Sequence, residues 1–144
     1  MTTMRALSIR QPWAWAILHA GKDVENRTWR TSVRGPVLIH AGMKPSVQDD
    51  MEVVCDLATN MGNEGDMPRA HFEELRRVHP MRFGGIVGVA EIVGCVSDHP
   101  SRWFFGPHAF ALRNARAVPF HPCRGRLGFF DVDYPFGIDA EAQR

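Results

Sequence analysis

The sequence predicts an α+β domain, a small mixed β-barrel with an N-terminal helix and a helical insertion. Three observations predict it. Strand-like runs occur toward both ends of the chain with a single helical pattern between the early ones, not the regular strand and helix alternation of a doubly wound parallel sheet. The most apolar run, "FGGIVGVAEIVGCVS" from Phe83 to Ser97, suits a central strand that bends at its glycines. Two further helical patterns fall together in residues 43–80, where acidic residues are concentrated. At 144 residues one core is the expectation, so residues 1–144 form a single domain with 43–80 as an acidic helical insertion packed on the side of a β core.

Taken in order, Arg5 to Arg10 alternates, with Leu7 and Ile9 on one side and Ser8 and Arg10 on the other, and predicts a first strand. Pro12 suits the first position of a helix, where its missing N–H is not needed, and Gly21 suits its end. Between them Trp13, Ala16, Ile17 and Ala20 make a core-facing stripe. Trp15, about 200° around from Trp13, falls with His19 on the other side. Lys22 to Arg30 predicts a second strand, with Glu25, Arg27 and Trp29 on one face and Lys22, Val24 and Asn26 on the other. Gly35-Pro36 leads into a short apolar strand, Val37 to Ala41. Val47, Met51, Val54, Ala58 and Met61, then Phe72, Leu75 and Val78, space as two helices separated by "GNEGDMP". After the glycine-rich strand, His108 to Arg113 and Leu127 to Val132 predict the last strands. The intervening "VPFHPCRGR" predicts a loop stiffened by Pro119 and Pro122 and carrying Arg124 and Arg126 around Gly125.

Composition excludes several classes. Hydrophobic residues make up 44% and charged residues 23%, as in ordinary globular domains. No apolar run approaches the roughly 20 residues of a membrane span, and no secretory leader is evident. Cys55, Cys95 and Cys123 are odd in number and widely spaced, which argues against a disulfide framework and a CxxC zinc site and points to a reducing cytoplasm. The net charge of +1 conceals segregation: residues 1–42 hold six Lys and Arg against two Asp and Glu, and residues 43–80 hold four against eight. A basic surface for an anionic partner is compatible with that pattern.

Glu91 stands out because Val87, Val89, Val93 and Cys95 share its face, and a carboxylate among valines needs a partner. Lys22, Arg27 and Arg10 are the basic residues that a barrel would bring near it. In "GKDVENRTWR", Glu25 and Arg27 can pair along one face while Lys22 and Asn26 share the other. His40 closes an apolar strand. The histidines lack HxH or HExxH spacing, so neither a metal nor a cofactor is expected, and Ser8 and Ser97 lie at strand ends without an evident base. Trp15, Trp29, Trp103 and Phe104 are available for stacking on bases.

Together "LSIRQPWAWAIL", "AGKDVENR", "RGPVLIHAG", the strand with Glu91 and "PCRGRLGFF" resemble the ASCH domain (activating signal cointegrator homology), a relative of the PUA domains that bind RNA. Lys22, Glu25 and Arg27 match the family's Lys-x-x-Glu-x-Arg motif. The family usually has a glycine two residues before the lysine, where this chain has Ala20. The resemblance, which extends to single-domain bacterial members, implies a PUA-like β-barrel with a cleft for RNA or a modified nucleoside. Arg10, Gln11, Trp15, Asn26, Arg27, His40 and Arg124 are then the expected binding residues, and Lys22, Glu25 and Glu91 the expected catalytic ones if the cleft turns a substrate over. A small bacterial member is an amidohydrolase that deacetylates N4-acetylcytidine with a lysine, a threonine and a glutamate. Its lysine corresponds to Lys22 and its glutamate to Glu91, while Glu25 stands in the threonine's place. Amide hydrolysis, with Glu91 or Glu25 activating water and Lys22 polarising the carbonyl, is one alternative to binding. A ribonuclease using Lys22, Arg27 and His40 is another, and protein interaction through the acidic helices a third.

Overall fold

A computed structural model describes residues 2–45 and 50–139. Its elements are β1 (Thr2–Ile9), α1 (Trp13–His19), β2 (Val24–Arg27), β3 (Gly35–Ala41), α2 (Asp50–Thr59), α3 (Arg69–Val78), β4 (Gly85–Val96), β5 (His108–Pro122) and β6 (Phe129–Tyr134). They form one six-stranded sheet in the order β2-β5-β4-β3-β1-β6. β1 and β3 run parallel and the other neighbours antiparallel. Val47, the first residue of the expected stripe on α2, lies outside the described residues. No helix is long and apolar enough to cross a membrane among the described residues.

The sheet is open, which corrects the expected closed barrel. β2 is only four residues long and pairs with β5 alone, because Thr28 to Arg30, expected to extend it, leave the ladder. Side chains cover the seam instead. The Trp29 ring stands edge-on to Phe110 at 5.2 Å and to Phe129 of β6 at 5.7 Å.

β4 bends as its glycines predict, with register shifts between Ile86 and Gly88, Val89 and Glu91, and Ile92 and Gly94. β5 is longer than expected and runs through Pro119 to Pro122. Its first residues pair with both β2 and β4, but beyond Leu112 its pairing is with β4 alone. An edge with no ladder partner accepts prolines, since no N–H is required there.

α1 is buried on two sides. Ala14 and Ile17 face the sheet core of Leu7, Ile9, Ile39, Ile92 and Phe110, while Trp15 and Ala16 face Val54, Cys55, Leu57 and Phe72 of α2 and α3. Trp15 is thus the residue that docks these two helices, and its indole N–H donates to the His79 carbonyl at 2.6 Å. They are also held by Arg102, which donates to the Leu57 carbonyl at 2.8 Å and to Asp66 at 2.7 Å.

His19, at the end of α1, stacks on His79, just past α3, with ring centroids 4.2 Å apart. Burial, and secondarily the neighbouring His79 charge, push the His19 pKa down to about 4. The unfolded chain therefore binds more protons than the folded one between pH 4 and roughly 6.5. Stability is expected to be full above that window and to fall as the pH is lowered through it. Urea unfolding of the wild type and His19→Gln at pH 7 and pH 5 checks this; an equal loss in both proteins would assign the acid sensitivity elsewhere.

Candidate functional site

The turn after α1 builds the site. Gly21 takes φ +79°, a conformation that suits glycine, and the Lys22 N–H returns to the Ala16 carbonyl at 3.1 Å. Lys22 therefore precedes β2 and is not part of its alternation. Its side chain turns inward, donating to the Val24 carbonyl at 2.6 Å and to Glu25 Oε1 at 2.9 Å. Arg27 Nη2 donates to Glu25 Oε2 at 3.0 Å and to the Ser8 carbonyl on β1 at 2.9 Å. Lys22 and Glu25 are only 3% and 7% exposed, so one carboxylate neutralises two cations in a site nearly closed to water. Burial alone would raise the Glu25 pKa. The charges of Lys22 and Arg27, with their hydrogen bonds, outweigh burial and hold the carboxyl below its ordinary value.

Above this cluster lies a groove of about 510 Å³ between β1, α1 and β2. Trp13, Trp29 and Phe105 supply aromatic walls and Arg10 a basic rim. Trp13 was expected in the core stripe, but it is only partly buried. Its N–H donates to Asp50 at 3.1 Å, and the Lys22 ammonium lies 5.9 Å from the ring centroid. Trp13 packs against both core clusters and at the same time borders the groove.

A second concavity of about 660 Å³ adjoins the first and shares Ser8 and Arg10 with it. Lys44, His40, Arg124 and Arg126 also line it. His40 is 2% exposed and bonded to Ser8 Oγ at 3.0 Å and to the Cys123 carbonyl at 2.8 Å.

Four expected site residues are placed differently. Gln11 accepts the backbone N–H of Trp15 at 2.8 Å and donates to the Arg82 carbonyl at 3.0 Å, tying the start of α1 to the approach to β4. Gln11 and Trp15 both border a separate cavity of about 620 Å³ that also contains His19, His79 and Phe120. Asn26 borders the groove, but its amide clamps the 103–106 loop: it donates to the Trp103 carbonyl at 3.0 Å and accepts from the Phe105 N–H at 2.8 Å. Glu91 does not join Lys22. Three residues of β5 oppose two of β4 here, with Asn114 at φ +53°, and the carboxylate pairs with Arg113 at 3.0 Å. Its neighbour Ile92 shares the inner core with Phe110, the ladder partner of Glu25. Successive strand residues face opposite ways, so Glu91 occupies the outer face and Glu25 the inner one. The Arg113 hydrogen bond, helped by Asn114, lowers the Glu91 pKa despite some desolvation.

Ser8, Lys44, Phe105 and Arg126 were not among the expected site residues. Only Arg126 had a direct signal, its placement with Arg124 around Gly125. Among the described residues, no buried side-chain nitrogen or oxygen lacks a hydrogen-bond partner, and no group of three or more His, Cys, Asp or Glu is placed to hold a metal ion.

Comparison with known proteins agrees with the family resemblance. The family model described as ASCH domain matches residues 7–129. Human activating signal cointegrator 1 is 26% identical over 137 residues, covering 88% of this chain and 22% of the human protein. The mouse protein of the same name is 29% identical over 93 residues, covering 64% of this chain and 14% of its own length. The match thus spans under a quarter of either relative.

Proposed function

The chain belongs to the ASCH domain family, and from that premise we propose that it binds single-stranded RNA or a modified nucleoside in the groove above Lys22, Glu25 and Arg27. The observation that carries this reading is the continuity of an aromatic groove with a basic concavity. Trp13, Trp29 and Phe105 offer faces on which a base can stack, and Arg10, Lys44, Arg124 and Arg126 offer charges along the adjoining surface. Stacking platforms beside a cationic track suit single strands, whose bases are free to leave one another.

Binding of a short single-stranded RNA and of acylated cytidines, each measured at two salt concentrations, tests the proposal. RNA affinity is expected to fall with salt, with a slope of about 0.7 per neutralised phosphate. Arg124→Ala should reduce that slope, while Trp29→Ala should weaken binding by about 1–3 kcal/mol if one base stacks there. No binding of either ligand overturns the proposal.

The contact between Lys22 and Glu25 under the groove also bears on the amidohydrolase alternative. Lys22 could polarise an acetyl carbonyl, but Glu25 has an oxygen committed to each cation and a lowered pKa, which makes it a weak base for activating water. This favours binding over turnover. Equal activity of wild type and Lys22→Ala on N4-acetylcytidine, or none, agrees with that preference; turnover lost only in the variant reverses it. The ribonuclease alternative loses its compact set of groups, since His40 borders the second concavity and not the groove.

A further inference from the structure

A hydroxyl and an imidazole meet where the two concavities join. Ser8 and His40 are ladder partners on the parallel strands β1 and β3, and their side chains meet with Oγ 3.0 Å from Nδ1. The other ring nitrogen, Nε2, lies 2.8 Å from the Cys123 carbonyl. A carbonyl can only accept, so Nε2 carries the proton and the Nδ1 lone pair faces the Ser8 hydroxyl. The ring is further held edge-on by Phe130, with centroids 5.7 Å apart. Arg27 fixes the Ser8 backbone through its carbonyl. Nucleophile, base and orienting acceptor thus stand in the relation that activates a serine.

The surroundings suit a reaction at this serine. Ser8 lines both concavities, so its surface is open to a ligand in either. Gly125 packs directly against the pair: a Cβ there would lie 2.7 Å from His40 Cε1 and 3.0 Å from Ser8 Oγ, so only glycine fits without displacing them. Arg10, Arg124 and Arg126 line the basic side and favour a substrate carrying negative charge.

We propose that Ser8 and His40 are the nucleophile and general base for hydrolysis of a carboxylic ester borne by an anionic compound. Ser8 Oγ bonds to the ester carbonyl carbon as its proton passes to His40 Nδ1, while Nε2 keeps its hydrogen bond to Cys123. Collapse of the tetrahedral intermediate breaks the bond to the alcohol oxygen, which leaves with the Nδ1 proton. A water molecule then attacks the acyl-serine, giving a proton to Nδ1, and this proton returns to Ser8 Oγ as the acid is released. Ester and water are consumed, and acid and alcohol are formed. This activity does not depend on RNA binding, and it uses neither Lys22 nor Glu25 as a reacting group.

The test uses the full chain and a fluorophosphonate probe, followed by intact-mass measurement and peptide mapping. One adduct, on Ser8, is expected. Ser8→Ala should give none. His40→Asn keeps an acceptor near Oγ without a base, and should slow labelling by about 100-fold or more. Gly125→Ala, checked for native circular dichroism, should also suppress labelling by forcing His40 away from Ser8. Hydrolysis of p-nitrophenyl hydrogen succinate should exceed that of p-nitrophenyl acetate, with the preference reduced in Arg10→Ala. Absence of a Ser8 adduct in folded wild type overturns the proposal, as does equal labelling of the His40→Asn variant.

Discussion

Glu25→Ala is expected to cost about 3–5 kcal/mol of stability, because it leaves a buried ammonium and a half-buried guanidinium without their shared counter-charge. The loss comes mainly from the stranded Lys22, which lines the floor of the groove yet is only 3% exposed. Replacing Lys22 and Glu25 together by apolar residues of similar volume should cost much less, since the desolvation of both charges disappears with their attraction. Urea unfolding distinguishes the cases: the single variant should shift the midpoint strongly with an unchanged m-value, and the double variant should recover most of it. A loss below about 1 kcal/mol in the single variant would mean that solvent reaches Lys22 freely, as at an exposed pair.

The same carboxylate gives the protein an acid limit distinct from that of His19. The folded pKa of Glu25 is lower than the unfolded one, so its contribution is present above the ordinary carboxylate pKa, about 4.3. It is lost as pH falls through the depressed value. The His19 contribution is lost at higher pH, between roughly 6.5 and 4. Acid unfolding should therefore begin with the histidine and finish with the glutamate.

Trp15→Ala is the second large effect, about 3–5 kcal/mol. Trp15 is 2% exposed, packs edge-on against Phe72 with centroids 5.5 Å apart, and donates to the His79 carbonyl. Its removal leaves a cavity between α1 and both α2 and α3, and an unpaired carbonyl just past α3. Amide exchange in α2 and α3 should rise more than in β3 and β4, because those helices lose their main apolar attachment to the rest. Trp13→Ala should cost less stability and weaken ligand binding in the groove. A reversal of the two phenotypes would mean that Trp15, not Trp13, walls the binding surface.

These two tryptophans mark where periodicity stopped being informative. Their separation around the helix was legible, as was the conclusion that they serve different surroundings. Which one is more buried was not, because α2 and α3 give α1 a second apolar environment. Glu91 is a similar case. Its valine neighbours suggested an inward carboxylate, but β4 is irregular between Ile86 and Gly88 and between Ile92 and Gly94, so Val87 and Cys95 reach the inner core while Glu91, alternating with Ile92, faces outward to Arg113, and such irregularities cannot be located from strand alternation. The joining of Glu25 to both Lys22 and Arg27 was only half visible, since placing Lys22 within a regular strand put it on the wrong face.

The amino-acid sequence by itself determined the α+β class, the order of the elements, the bent central strand and the resemblance to the family whose model matches residues 7–129. These follow from local spacing, turn chemistry and short stretches of sequence, which neighbouring residues carry. Tertiary structure alone decided that the sheet stays open, that Glu91 lies apart from Lys22, and that Ser8 meets His40 across two strands. Those outcomes depend on strand register and packing between residues distant in the chain, where a shift of one position reverses the face a side chain occupies.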